Sequence, residues 1–347
     1  MIYDGKITIA TGHAATAKKW KNTELRWGAL VDQLSSPTVT KEKLSEYEAM
    51  SKDMQLKTKD VGGFVGGFLN DGKRSPEAVK YRQLLTLDID FAGSNFWDLF
   101  SMIYDCAAVL HSTHKHKPSA PRLRLVIPLN RKVSGDEYIA ISRKVAGNIG
   151  IDLFDPTTFQ INRLMFWPSH SVDAEYVYEV QDSAWLDADS VLAEYGDWRN
   201  SAEWPVASSS TQKMLTKAGK QEDPEEKKGI IGAFCRAYSM QEAIETFLSD
   251  VYEHAGGDRY TYLKGSTAGG LIIYDDKFAY SHHGTDPASG RLCNVFDLVR
   301  LHKFSDLDEG ADKETESQKA MSHFAASDEG VKMLMASERL EIAKEEF

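Results

Sequence analysis

The sequence predicts an α/β protein whose first domain is built on a mixed sheet, followed by a small, mostly helical second domain with a β-hairpin. Three observations predict it. Leu84–Phe91 and Leu123–Leu129 alternate side-chain character with the period of a strand. Strand, helix, strand, strand, helix is the order read from residue 84 to residue 149, as in an α/β sandwich. From Ser183 to Lys228 the apolar periodicity lapses, which marks a domain linker. The expected divisions are a first domain over 1–185, a linker over 186–228, a second domain over 229–305 and an acidic, helical tail over 306–347.

In chain order, residues 6–10 form a short strand, and 41–52 form a helix with Thr40 as its N-cap. Paired glycines at 62/63 and 66/67 bracket Phe64 and Val65. They match neither a Walker A loop nor a dinucleotide-binding fingerprint, and close packing is the favoured reading. The basic residues Lys73, Arg74, Lys80 and Arg82 lead into the acidic strand at Leu84. Phe96, Trp97, Phe100 and Ile103 have helical spacing, Ala107–Leu110 reads as a strand, and Tyr138, Ile141, Val145 and Ile149 mark a helix that Asp136 can cap. A strand is expected over Phe159–Trp167, carrying Arg163 and ended by Pro168. In the second domain, Ser239 and Glu242 make a capping-box pattern, and Asp275-Asp276-Lys277 joins Leu271–Tyr274 to Phe278–Ser281 as a hairpin.

Composition narrows the function. No apolar run approaches the roughly 20 residues that span a bilayer, and the N-terminus lacks a secretory pattern, so a soluble cytoplasmic protein with no membrane partner is expected. Cys106, Cys235 and Cys293 form no Cys-x-x-Cys pair, and His282-His283 with Cys293 fits no standard zinc spacing. A net charge of −11 argues against coating nucleic acid by overall attraction, but not against a local basic groove. Between Asp105 and Asp136 there is no acidic residue, while Lys115, Lys117, Arg122, Arg124, Arg131 and Lys132 are basic, with His111, His114 and His116 among them. That segment suits phosphate.

The chemistry centres on Asp88 and Asp90. On a strand they share one face, opposite Leu85, Leu87, Ile89 and Phe91. Two close carboxylates on so apolar a strand call for a divalent cation. Asp152 and Asp155 offer further carboxylates upstream of Arg163. Three carboxylates can hold two Mg²⁺ or Mn²⁺ ions, the requirement of nucleotidyl transfer, with histidine, serine and arginine donors holding the triphosphate in line.

These motifs resemble the archaeo-eukaryotic primase superfamily, in particular the primase-polymerase domains at the front of phage and prophage replication proteins of the virulence-associated E type. Asp88-Ile89-Asp90 matches the family's first motif, Ser112-Thr113-His114 its Ser-x-His, and an Asp near 152–155 its third. Asp155 is preferred because Arg163 and Pro168 follow at the family's spacing, with Asp152 as the alternative third ligand. The resemblance covers residues 1–185, and segments of 228–300 look like the small domain that follows. It implies a primase-polymerase catalytic domain with an RRM-like sheet. Asp88, Asp90 and Asp155 would be catalytic metal ligands for two Mg²⁺ or Mn²⁺ ions. Ser112, His114, Lys117, Arg122, Arg124 and Arg163 would bind nucleotide phosphate. The implied partners are a single-stranded DNA template, nucleoside triphosphates and a replicative helicase. No Walker A sequence is present, so nothing argues for unwinding by these residues.

Two other classes compete. One is a metal-dependent nicking nuclease with His114 and His116 as paired ligands and a tyrosine nucleophile. The other is a non-catalytic adaptor that binds DNA or a helicase. The ordered set of three motifs favours the primase-polymerase over both.

Overall fold

A computed structural model describes residues 1–208, 223–308 and 315–345. The chain divides into two compact units. The first comprises Met1–Trp198 and the described residues from Glu203 to Ser208. The second comprises Arg199–Ala202 and the described residues after 222.

The first unit contains strands β1 (Lys6–Gly12), β2 (Lys21–Arg26), β3 (Thr38–Val39), β4 (Gly63–Val65), β5 (Gly67–Leu69), β6 (Val79–Ile89), β7 (Ala108–Ser112), β8 (Leu123–Val133), β9 (Met165–Phe166), β10 (Ser169–His170) and β11 (Tyr178–Gln181). Its main sheet has the order β11-β7-β8-β6-β5, and a second sheet the order β2-β1-β4-β9. Every ladder of the main sheet is antiparallel, not mixed as expected. Parallel pairing occurs in the two-residue β3/β10 ladder and, at the main sheet, as a single bridge between Leu129 of β8 and Leu186.

Period-two alternation sends the two faces of the main sheet into different cores. Leu85, Leu87, Ile89, Leu123, Leu125 and Ile127 pack on one side with helices α4 (Phe96–Ile103) and α5 (Gly135–Ile149). Leu84, Val109 and Val126 pack on the other against Ile7, Ile9 and Trp27. The paired glycines let backbones approach: a Cβ at Gly67 would lie 2.1 Å from the Tyr81 carbonyl oxygen, and one at Gly63 2.3 Å from that of Met165.

Several local expectations change. The strand expected at 84–91 begins at Val79 and ends at Ile89, because the amides of Asp90 and Phe91 turn to the Leu153 carbonyl. The single helix expected over 41–52 is two, Leu44–Ala49 and Lys52–Lys59 (α2 and α3). Thr40 caps neither, since its hydroxyl donates to Glu42. Ser134, paired with Glu137 in a capping box, caps α5 in place of Asp136. The strand expected at 159–167 survives only as β9. Asp155 caps a 3₁₀ turn over Pro156–Phe159, and the Arg163 amide closes a further turn on Gln160.

Arg82, read in the sequence as part of a basic lead-in, is wholly buried. Its guanidinium donates to the carbonyls of Gly66, Ile161 and Leu84 and to the Thr86 hydroxyl, and lies 3.9 Å from the centre of the Tyr138 ring. Of the residues expected to be linker, 186–198 and 203–208 belong to the first unit, where Leu186, Val191, Leu192, Tyr195 and Trp204 pack within its core. Of the rest of the expected linker, 209–222, which include the first half of the charged run, lie outside the described residues, and 223–228 belong to the second unit.

In the second unit the expected hairpin forms, its turn carried by Asp275 and Asp276 at φ of 52° and 53°. It is the centre of a five-stranded antiparallel sheet. The Ser239–Glu242 capping box is present. The region expected as a separate tail contributes Met321, Ala325 and Val331, from helices Thr315–Ser327 and Glu329–Glu345, to this unit's core. His283 is buried there, its Nε2 accepting from the amides of Tyr262 and Gly270.

Candidate active site

Strand register sets the floor of the site. Arg124 on β8 is directly opposite Asp88 on β6 and His111 on β7, and Tyr178 on β11 is opposite His111. Cross-strand partners project from the same face, so a carboxylate, a guanidinium and an imidazole form one row across the sheet.

The third carboxylate arrives by backbone pairing. The Asp90 amide donates to the Leu153 carbonyl at 3.0 Å and the Asp155 amide to the Asp88 carbonyl at 3.0 Å, with Ile89 bridged to Phe154 between them. Thr158 reinforces this join, its hydroxyl donating to the Thr86 carbonyl and accepting from the Asp88 amide. The segment 153–158 is thereby held along the end of β6. Asp155 faces the cleft, whereas the Asp152 carboxylate accepts the amide and hydroxyl of Ser208 and does not line it.

The cleft has a volume of about 340 Å³. Its carboxylates are Asp88, Asp90 and Asp155, and its cations Lys59, Lys115, Arg122, Arg124 and Arg163. Each carboxylate faces its own arginine. Arg124 Nε is 2.6 Å from Asp88 Oδ1, Arg122 Nη1 2.9 Å from Asp90 Oδ2, and Arg163 Nη2 3.3 Å from Asp155 Oδ2. Burial pushes Asp88 up, but Arg124, by charge and by hydrogen bond, outweighs it with help from Arg163 and His111, leaving this carboxyl below the usual range.

His111 is buried, its Nδ1 donating to the Ser112 carbonyl, while among the described residues Nε2 has no hydrogen-bond partner. Burial, with Arg124 beside it, lowers its pKa to about 4, so the ring is neutral at pH 7. His114 is held at both nitrogens, Nδ1 to the Ser169 hydroxyl at 2.8 Å and Nε2 to Glu42 at 3.1 Å, with the Tyr47 ring against it. His116 accepts from the Arg122 amide instead. The two imidazoles of the nuclease reading therefore serve different partners. Among the remaining residues picked from sequence, Ser112 and Lys117 do not line the cleft. The Ser112 hydroxyl accepts from the Val177 amide, and Lys117 pairs with Glu48.

Carboxylate oxygens are the donors that Mg²⁺ and Mn²⁺ take, and three of them line this cleft. Among the described residues no group of three or more His, Cys, Asp or Glu is arranged to hold a metal ion as it stands. The donor chemistry fits a divalent cation, and Asp88 and Asp90 each meet their arginine through one carboxylate oxygen.

Sequence reasoning missed Lys59, which ends α3 and reaches the cleft from outside all three motifs. It also missed Glu42, Tyr47 and the wall formed by Phe166, Trp167, Pro168 and Ser169. For Lys59 no local signal existed, because α3 has no buried residue to orient it. An aromatic pair before a proline, downstream of Arg163, was the available hint for the wall.

The VapE N-terminal domain family model matches residues 1–207. The chain belongs to that family. The match runs past residue 185 to the same point as the packed first unit, so the VapE N-terminal domain here includes the helix Ala188–Ala193 (α6) and Trp204. The AEP domain of the cyanophage S-2L primase-polymerase is 12% identical, with a TM-score of 0.31 over 54% of this chain and 88% of that one. The primase RepB′ is 9% identical, with a TM-score of 0.32 over 97% and 94%. At these scores neither likeness bears on what this chain does. No curated protein matches it. No helix among the described residues is long and apolar enough to cross a membrane.

Proposed function

We propose that this chain is a metal-dependent nucleotidyltransferase, a primase-polymerase that makes and extends primers on single-stranded DNA during replication of a phage or mobile element. One observation carries the reading: three aspartates, one of them more than sixty residues downstream of the others, converge on a single cleft beside five cations. Membership of the VapE N-terminal domain family agrees with it.

In this reading Asp88, Asp90 and Asp155 hold two Mg²⁺ or Mn²⁺ ions. When bound, the ions lower the pKa of the attacking 3′ hydroxyl and neutralise charge on the α-phosphate and the leaving pyrophosphate. Arg122, Arg124 and Arg163 line the same cleft and would face phosphate oxygens, which a guanidinium grips in pairs. His114, fixed by Glu42 and Ser169, presents a rigid edge to the cleft. His111 presents beside Arg124 an Nε2 that has no hydrogen-bond partner among the described residues. Trp167, stacked on Phe64 at 4.8 Å, offers an aromatic surface beside the carboxylates.

The test is direct synthesis. Purified chain with single-stranded template, nucleoside triphosphates and Mn²⁺ is expected to yield oligonucleotides, and Asp88→Ala and Asp90→Ala to yield none. Products that persist in both variants overturn the assignment.

A further inference from the structure

The cations of the cleft divide into two kinds. Arg122, Arg124 and Arg163 are each engaged by an aspartate. Lys59 and Lys115 are not: among the described residues neither ammonium makes an ion pair or hydrogen bond. Lys115 is exposed and solvated, whereas Lys59 is half-buried. Its ammonium lies 5.1 Å from the centre of the Phe166 ring, and the Phe166 carbonyl accepts from Arg124. Burial lowers the pKa of Lys59, and the charges of Arg124, Lys115 and Arg163 add to that, with Asp88 opposing.

The last turn of a helix favours a cation, and Lys57 in the same turn meets that preference from an exposed position. The preference does not explain why Lys59 is turned into a basic cleft. An ammonium withdrawn from water and placed among like charges is costly to the fold. An anion entering the cleft removes that cost. Lys59 is also the half-buried cation of the wall that can meet phosphate without first breaking an aspartate pair.

We infer that Lys59 is a phosphate-binding residue of this cleft and that it takes the triphosphate of a nucleotide before the aspartates leave their arginines. This rests on the nucleotidyltransferase reading above. Two consequences follow. The chain binds nucleoside triphosphate without a divalent cation, and that binding depends on Lys59. Added Mn²⁺, held by the aspartates, would strengthen binding further.

The experiment is equilibrium binding of a fluorescent nucleoside triphosphate to the full chain, in EDTA and in Mn²⁺, for wild type, Lys59→Gln and Lys59→Arg. A single-stranded oligonucleotide is titrated in parallel. Glutamine keeps most of the stem that covers Phe166, and thermal unfolding of both variants verifies that they fold. Lys59→Gln is expected to weaken triphosphate binding in EDTA by about tenfold or more, a change of about 1.4 kcal/mol. Lys59→Arg should stay near wild type, and oligonucleotide affinity should not move. Wild-type affinity in Lys59→Gln, with wild type itself binding, overturns the inference and leaves the nucleotidyltransferase reading standing. Loss confined to the oligonucleotide overturns it too, by assigning Lys59 to template. Absence of nucleotide binding in wild type, with or without Mn²⁺, overturns both.

Discussion

Asp88 and Arg124 stand directly opposite one another in the β6–β8 ladder and close a 2.6 Å ion pair at the floor of the cleft. Both side chains are largely buried, so the pair is part of the fold as well as of the proposed chemistry. Asp88→Ala leaves the guanidinium without its carboxylate, and loss of one partner of a buried pair costs about 3 kcal/mol. Asp88→Asn keeps an oxygen for Arg124 and should be the less destabilised of the two, while both lose primer synthesis. Urea unfolding beside a synthesis assay separates the effects.

The two candidate third carboxylates should behave differently. Asp155 lines the cleft against Arg163, whereas Asp152 is engaged by Ser208. Asp155→Ala should reduce synthesis by about 100-fold or more, the scale seen when a group stabilising transition-state charge is removed. Asp152→Ala should remain within a few-fold of wild type and cost about 1 kcal/mol of stability, the ordinary worth of a hydrogen bond. Rates measured side by side on one template decide between them.

Acid should destabilise the first unit through His111. Its folded pKa of about 4 lies below the ordinary histidine value of 6.5, so between those values the unfolded chain binds the extra proton. Stability conferred by the neutral ring is therefore complete above pH 6.5 and lost as pH falls towards 4, a change on the order of 3 kcal/mol. Asp88, held below its usual range, loses stability in the same direction at lower pH. His111→Leu should flatten the slope between pH 6.5 and 4, as read by denaturation midpoints across that range.

Arg82 should be intolerant of substitution although it is remote from the chemistry. Its guanidinium satisfies three carbonyls and one hydroxyl in a wholly buried position. Arg82→Lys presents one ammonium in place of the fork and should destabilise by about 3 kcal/mol, since several buried acceptors lose their donor. The thermal midpoint of the first unit reads the loss.

A fragment ending at residue 185 should be markedly less stable than one ending at 208. The shorter piece uncovers the core that Leu186, Val191, Leu192, Tyr195 and Trp204 close. Loss of burial for several large apolar side chains, each worth about 2 kcal/mol, is enough to unfold a marginally stable domain. Solubility and thermal unfolding of the two fragments provide the comparison.

What the sequence by itself determined is what neighbouring residues control. Period-two alternation determined that Leu85, Leu87 and Ile89 enter one core while Asp88 leaves it. The Ser239–Glu242 cap and the Asp275–Lys277 turn were readable because their hydrogen bonds and dihedrals lie within a few residues. The helix at 96–103 followed from spacing alone. Tertiary structure decided everything that depends on a distant partner. Residues 153–158 pair with the end of β6, about seventy positions away, and that contact brings in Asp155 and ends the strand before Asp90. Arg82 and Lys59 look alike as basic residues in polar stretches. One became a buried lock because backbone carbonyls surround it, and the other a cation that meets the Phe166 ring and, among the described residues, no carboxylate, because α3 ends at the cleft. Charge is a local property of a side chain, but its partner is chosen by the fold.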